Sequence, residues 1–536
     1  MCGIFGYISN EPIAIDKQKE LTEYALKSQS RGPDNTVSKL VSDNVYLVFH
    51  RLMINDISSR GNQPLVHPSD ENLTLICNGE IYNHKTLCVE NNFQPNSGSD
   101  CEVILHMYKK FGIKKTVESL DGVFAFVLID NNTNSIFLAR DPIGVRSMYI
   151  GNDDDGNFAV ASEMKSLYGL VENIQQFRPG YYYEHNDKIY TQYYNYIYSE
   201  IITDSEEKIM ENIKVLLNKA VEKRLLSDRP IGCLLSGGLD SSLIVALLAQ
   251  HYPKGELKTF SVGLEGSVDL YYARKVAEHI GSDHHEVVLT EKEMLDYIKK
   301  DIYQIETYDT TTIRASTPML MLSNYIRDNT DISVIFSGEG SDEASGSYMY
   351  FHNAPSPEAF KRETVRLMKD LIYYDVLRCD KSTSGAGLEV RVPFLDKEFL
   401  EYYMNIPAAF KMPKSYHIEK YLLRKAFDGE DLLPQDVLWR VKEGMSDGVS
   451  GKKKGWYEII QEHVETIMTD NEFETLKQKY TWNCPKSKEN MWFREIFNEH
   501  YSGCEKTIPY YWLPKWSGDI TEPSARVLQC YDIENQ

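Results

Sequence analysis

The stretch Arg229-Pro-Ile-Gly-Cys-Leu-Leu-Ser-Gly-Gly-Leu-Asp-Ser-Ser242 decides how the second half of this chain is read. Residues 231–235 form a short apolar run, long enough for a buried strand and too short for a helix. Ser236-Gly237-Gly238 breaks that run, because glycines permit a tight turn and let a ligand approach the backbone closely. From Asp240 the spacing turns helical, with Leu243, Val245, Leu247 and Leu248 as apolar positions as far as His251. A strand, a glycine turn and a helix N-terminus in that order place free N–H groups and a positive dipole end where a phosphate can sit. No Gly-Lys-Ser/Thr closes the turn, so it is not the common nucleotide loop. Gly-Gly alone would mark an ordinary turn, but Ser236, Asp240, Ser241 and Ser242 crowd polar groups around it.

The stretch resembles the Ser-Gly-Gly-x-Asp-Ser pyrophosphate loop of enzymes that split ATP into AMP and pyrophosphate. Length and composition agree with an ordinary soluble globular protein. At 536 residues the chain is too long for one core, so at least two domains are expected. Hydrophobic residues make up 42% and charged residues 26%, as in ordinary globular proteins. A net charge of −21 argues against a nucleic-acid-coating surface, which needs a basic face. The one dense basic run, Lys452-Lys453-Lys454, reads as a solvated turn. The nine cysteines stand singly with no Cys-x-x-Cys pair, which excludes the usual zinc and thioredoxin-like motifs and suits a reducing compartment. No apolar run approaches the ~18 residues of a membrane span, and the N-terminus lacks a secretory pattern. A cytoplasmic location is expected, with no membrane or nucleic-acid partner.

The chain begins Met1-Cys2-Gly3-Ile4-Phe5-Gly6-Tyr7-Ile8, which reads as a strand starting almost at the terminus. Removal of Met1 would leave Cys2 with both a thiol and an α-amino group. That amine has an ordinary pKa of about 7.7–8.0 and can serve as the base for the neighbouring thiol. A lone cysteine would otherwise read as a small apolar residue packed at a strand start. Arg31-Gly32-Pro33-Asp34 is a turn signal, and His50-Arg51-Leu52 follows the apolar run 45–49. Cys77-Asn78-Gly79-Glu80-Ile81-Tyr82-Asn83 follows 73–76 and reads as strand, then turn. Ser99-Asp100-Cys101-Glu102 precedes a helical stretch. Singly, Asn78-Gly79 is a hairpin turn and Asp100 a helix cap.

Together with Cys2, these motifs resemble the class II glutamine amidotransferase domain, an N-terminal-nucleophile hydrolase, over residues 2–190. The resemblance implies an α+β, layered α/β/β/α sandwich in which Cys2 attacks the glutamine amide. It also implies an oxyanion hole from Asn78 and the Gly79 N–H, and a glutamine site of Arg51, Leu52, Met53, Ile54, Asn55, Asn78, Gly79, Glu80 and Asp100. Arg140-Asp141 reads as structural, within a hairpin parted by Asn131-Asn132-Thr133-Asn134.

A linker is expected at 191–205, with helical periodicity beginning near Ser205. The remainder, 206–536, alternates strands (258–264, 285–289, 331–336) with helices such as 268–280, which argues for a parallel sheet flanked by helices. Such sheets bind ligands at the carboxyl ends of their strands. Both Ser-Gly-rich segments, 236–242 and 337–343, lie at such ends, and their carboxylates Asp240 and Asp342 suit an ATP–magnesium–pyrophosphate site. His284-His285 reads as packing, without partner ligands.

Gly387-Leu-Glu-Val-Arg-Val-Pro-Phe-Leu-Asp396, Ile418-Glu-Lys-Tyr-Leu-Leu-Arg-Lys425 and Leu438-Trp-Arg-Val-Lys-Glu-Gly444 extend the likeness to the whole chain, which resembles the glutamine-hydrolysing asparagine synthetases. The resemblance implies adenylation of aspartate by ATP, then attack of glutamine-derived ammonia on β-aspartyl-AMP. It implies nucleotide contacts from Leu235, Ser236, Gly237, Gly238, Asp240, Ser241, Val262, Ser337 and Gly338. Lys442 would stabilise charge on the α-phosphate, Glu339 would promote formation or aminolysis of the intermediate, and a homodimer is expected. One departure stands at Ala344-Ser345-Gly346-Ser347-Tyr348, where many members have Gly-Gly-Tyr. Ser347 would matter if positive φ were needed there. The competing reading is another glutamine-dependent, AMP-forming amidotransferase with a different acceptor acid.

Overall fold

The computed structural model describes residues 1–195 and 201–528. The chain divides into two compact units, the first comprising Met1–Tyr196, Leu226–Pro230 and Thr383–Glu389. The second comprises Ile197–Leu225, Ile231–Ser382 and Val390–Gln536. The expected linker at 191–205 falls partly outside the described residues. The two short excursions, 226–230 and 383–389, carry no composition signal that a sequence reading would detect.

The first unit is built on strands β1 (Gly3–Ile8), β2 (Asn35–Ser42), β3 (Val45–Arg51), β4 (Leu65–His67), β5 (Asp70–Ile81) and β6 (Gly122–Asp130). It continues with β7 (Ser135–Arg140), β8 (Tyr149–Asn152), β9 (Phe158–Ala161), β10 (Glu172–Gln176), β11 (Tyr181–Glu184) and β12 (Ile189–Gln192). These form two six-stranded sheets, ordered β10-β8-β9-β1-β3-β2 and β12-β11-β7-β6-β5-β4. β6 shows why its sequence is continuously apolar. Its Ala125, Val127 and Ile129 meet Ile4, Leu47 and Val160 of the other sheet. The alternate residues Phe124, Phe126 and Leu128 pack under Ile104 and Met107. A strand with both faces covered loses the polar–apolar alternation of a half-exposed one. Helix α1 (Ile15–Leu26) buries Leu21 and Ala25, and the Ala25 carbonyl lies 2.8 Å from His50 Nε2 of β3. Helices α2 (His84–Asn91) and α3 (Val103–Ser119) cover the second sheet, completing the α/β/β/α layering.

In the second unit α4 (Glu206–Glu222), capped by the Ser205 hydroxyl, leads into β13 (Ile231–Leu234) and α5 (Leu239–Ala249). There follow β14 (Lys258–Leu264), α6 (Val268–Ile280), β15 (Asp283–Leu289), α7 (Glu291–Ile305), α8 (Thr310–Asn329), β16 (Val334–Phe336) and β17 (Glu389–Arg391). The sheet order is β15-β14-β13-β16-β17, and β13 pairs in parallel with both β14 and β16. The chain reverses direction across the sheet between β13 and β16, so a crevice opens at their carboxyl ends. Both glycine loops leave the sheet there. β16 is shorter than the expected 331–336 strand. The Thr330 hydroxyl accepts the Ile332 N–H at 3.2 Å and holds the preceding residues in a turn. Among the described residues no helix is long and apolar enough to cross a membrane.

Candidate active sites

Cys2 stands immediately before β1, whose register sets Gly3 opposite His50. The loop that leaves β3 touches the thiol: Leu52 N–H donates to Sγ at 3.4 Å, and the thiol donates to Leu52 O at 3.6 Å. The buried Arg31 fixes the backbone by donating Nε–H to the Cys2 carbonyl at 3.0 Å. Arg31 is itself held by Glu163 at 3.1 Å and Ser384 Oγ at 2.8 Å. Burial pushes the thiol up to about 11 and pulls the Met1 amine down to about 6. That amine donates to Leu388 O at 3.3 Å. The adjacent base expected for Cys2 therefore exists only in a chain beginning at Cys2.

Asn78-Gly79 is not a turn. β5 continues to Ile81, and these two residues pair with Ala125 and Phe124 of β6. Glycine is needed there because a Cβ on Gly79 would stand 2.4 Å from Val123 O. The Asn78 Nδ2 is buried and has no hydrogen-bond partner among the described residues. A buried unpaired donor is costly unless something is meant to accept from it, and an oxyanion is such an acceptor. Asp100 does not cap a helix either. Its Oδ2 accepts the Ile81 N–H at 2.6 Å, and burial raises its carboxyl above the ordinary range. Asn55 Nδ2 donates to Glu80 Oε2 at 2.6 Å and to Asp100 Oδ1 at 3.3 Å. One loop thus joins the thiol at Leu52 to two carboxylates at Asn55, and it is braced by the Met53 N–H on Asp34 Oδ2 at 2.7 Å and the Ile54 carbonyl on the Asp228 N–H at 2.9 Å. Arg51 fastens the following residues: Nη1 donates to Ser58 O at 2.7 Å and Asn62 Oδ1 at 2.6 Å, and Nη2 donates to Asp56 O. A substrate carboxylate held by Arg51 has to share these donors. Asp141 is structural, its carboxylate accepting five backbone N–H groups from Phe124, Ile143, Gly144, Val145 and Arg146.

The second unit places a pocket at the β13–β16 crevice. Leu235, Ser236, Gly238, Asp240, Ser241, Val262, Ser337, Gly338, Glu339, Asp342 and Lys442 all line it. Gly237 does not, but its φ of +71° and a would-be Cβ 2.4 Å from Ala273 N make the turn possible only for glycine. The loop is laced internally: the Ser236 N–H donates to Ser241 Oγ at 3.1 Å, and Ser241 Oγ donates to Gly238 O at 3.2 Å. Arg440 clamps it from outside, donating to Gly237 O at 3.0 Å and to Asp269 Oδ1 at 3.1 Å. Leu235, Phe260, Val262, Ala315, Met319 and Leu322 give one apolar wall, suited to a flat heterocycle. The loops and charged groups line the rest.

Lys442 Nζ pairs with Asp342 Oδ2 at 2.7 Å. Burial alone would lower the Lys442 ammonium, but Asp342 and Asp240 outweigh it and hold it firmly charged. Burial alone would likewise raise Asp342, and Lys420 and Lys442 hold it well below the carboxylate range instead. Glu339 behaves oppositely: burial pushes it up to about 7 despite its ion pair with Arg378. Ser347 carries no positive φ; Gly346 has it, at +64°. The departure from Gly at 347 therefore costs nothing in backbone, and the Ser347 hydroxyl donates to Asp342 Oδ1 at 2.5 Å. His284 is held by hydroxyls of Thr259 (2.9 Å) and Ser261 (3.1 Å).

Lys420, Glu343, Asp375 and Arg378 are among the charged groups at this site that escaped the sequence reading. Lys420 lies inside a quoted motif, yet nothing distinguishes it there from a surface lysine. Arg378 Nη2 donates to Asp375 Oδ1 at 2.8 Å and to Glu339 of the second glycine loop, and all three line the pocket. An arginine flanked by carboxylates matches a small zwitterion.

The glutamine amidotransferase domain family matches residues 1–220, and the asparagine synthase family matches 212–358 and 353–526. The glutamine-hydrolyzing asparagine synthetases of Cricetulus griseus and Homo sapiens are each 42% identical to this chain over 562 residues. That of Gallus gallus is 42% identical over 566 residues. Each alignment covers 99% of this chain and 99% of the relative. The chain belongs to the glutamine-hydrolysing asparagine synthetase family.

Proposed function

We propose that this chain makes asparagine from aspartate and ATP with glutamine as nitrogen donor, giving AMP, pyrophosphate and glutamate. The observation that carries the reading is the pocket of the second unit. There two glycine loops, an apolar wall and the Lys442–Asp342 pair converge on one crevice. In the first unit, the Cys2 thiol would attack the glutamine amide carbon while Asn78 Nδ2 donates to the developing oxyanion; the C–N bond breaks to release ammonia, and water then hydrolyses the γ-glutamyl thioester to glutamate and free thiol.

In the second unit the aspartate side-chain carboxylate attacks the α-phosphorus, and the bond to pyrophosphate breaks. Lys442 faces the charge that grows on the α-phosphate. Ammonia then attacks the acyl carbon and AMP leaves. Glu339, with a pKa near 7, is suited to take the proton the incoming nitrogen sheds. Arg378 and Asp375 would position the substrate's own charged groups. Asp240 and Asp342 converge on a single cation, Lys420. Two carboxylates without further protein ligands fit magnesium, which keeps waters and substrate phosphates in its shell. When bound, magnesium would neutralise phosphate charge. A homodimer and a cytoplasmic location belong to the same reading; light scattering of the purified chain tests the first.

Pyrophosphate release measured with glutamine and a panel of acids tests the function. Release should require aspartate. Release with another acid, and none with aspartate, would favour the alternative acceptor.

A further inference from the structure

Every oxygen of the Asp240–Asp342 carboxylate pair already has a donor. Lys420 Nζ donates to Asp240 Oδ2 and to Asp342 Oδ1, each at 2.5 Å. Ser341 Oγ donates to Asp240 Oδ1 at 2.7 Å, and Lys442 Nζ holds Asp342 Oδ2 at 2.7 Å. Among the described residues only Lys420 touches both carboxylates, and it does so from a buried position, 3% exposed. Its backbone stands at φ +57°, in the left-handed region, immediately before the helix Tyr421–Ala426. That conformation is unfavourable for a non-glycine residue and persists only where the surroundings impose it. The lysine is placed, not merely tolerated. Lys442, by contrast, lies on the pocket wall and reaches only one of the two carboxylates.

We propose that Lys420 is a built-in counter-cation of this pair: it holds Asp240 and Asp342 together and keeps a free divalent cation off them, so the metal enters only as part of a metal–ATP complex. The physical reason is charge balance. Two largely desolvated carboxylates without a cation would capture any divalent ion within reach, and an ammonium already between them removes most of that attraction. A nucleotide changes the balance, because its phosphates add negative charge and supply the remaining metal ligands. Lys420 is thus a positioning residue, and Lys442, which holds only Asp342 from the pocket wall, is the lysine placed to serve the α-phosphate.

The inference rests on the reading of this pocket as an ATP–magnesium site, and the test separates the two. Manganese binding to the full chain is followed by electron paramagnetic resonance of the free ion. Wild type, K420M and K420R are compared with and without α,β-methylene-ATP. Wild type and K420R should bind manganese only with the nucleotide. K420M should bind it without nucleotide at least about tenfold more tightly than wild type, the scale expected for losing one compensating charge. Nucleotide-free binding by wild type as tight as with the analogue overturns the inference while leaving the ATP–metal reading intact. K420M that stays folded and gains nothing overturns it too. If K420M loses its thermal unfolding transition, wild type and K420R still decide, since manganese bound by either without nucleotide refutes the idea. No binding by wild type even with the analogue sinks the ATP–metal reading and the inference with it.

Discussion

Gly338 packs directly against Ser241: a Cβ on Gly338 would stand 2.7 Å from the Ser241 backbone nitrogen. At this point the two glycine loops touch backbone to backbone, and no side chain can be inserted on Gly338 without moving one of them. Gly338→Ala should cost about 1–3 kcal/mol by overpacking and lower ATP-dependent pyrophosphate release at least about tenfold. Glutamine hydrolysis, which uses the other unit, should persist. Normal pyrophosphate release in this variant would show that the close approach is not needed.

Asn78 Nδ2 is a buried donor waiting for an acceptor. Asn78→Ala should reduce the kcat of glutamine hydrolysis by about 10²–10³ with little change in KM, as for other oxyanion donors. Asparagine formation from ammonium chloride should be unaffected. A rise in KM at constant kcat would instead make Asn78 a ground-state binding residue.

Much of this architecture was legible because its physics is local. Glycines punctuate the strand-to-helix turn at 236–238, and apolar spacing marks both ends of α6 and β14. What escaped was set by tertiary packing. Asn78-Gly79 carries a strong turn signal, yet the close passage of Val123 and Phe124 demands a glycine inside β5 and overrides it. Lys420 and Arg378 carry no local pattern at all. Only the fold brings residues 240, 342 and 420, or 339, 375 and 378, to one crevice, and their burial is what turns ordinary charges into site chemistry.

Glu339 titrates near 7 in the folded chain against an ordinary value of 4.5. Because the folded form holds its proton more tightly than the unfolded one, Glu339 reduces stability progressively as pH rises from about 4.5 to about 7. Glu339→Gln removes that dependence. Its melting temperature relative to wild type should move in the variant's favour between pH 5 and pH 8. A difference that does not vary with pH would contradict the raised pKa.

Ser347→Gly deletes a hydroxyl donor to the charged Asp342 at a position whose backbone does not need glycine. A hydrogen bond to a charged group is worth about 1.5–3 kcal/mol, so chemical denaturation should show a loss of that order. A neutral or stabilising outcome would mean that Lys420 and Lys442 alone hold Asp342.

One chain transfers the glutamine amide nitrogen to an aspartate activated by ATP. Glutamine labelled with nitrogen-15 in the side-chain amide, supplied with aspartate and ATP and no added ammonium, tests this directly by mass spectrometry of the products. Labelled asparagine, with the nitrogen-15 in its side-chain amide, should accumulate in step with AMP and pyrophosphate. Labelled ammonia without labelled asparagine, or asparagine formed without pyrophosphate, would contradict it.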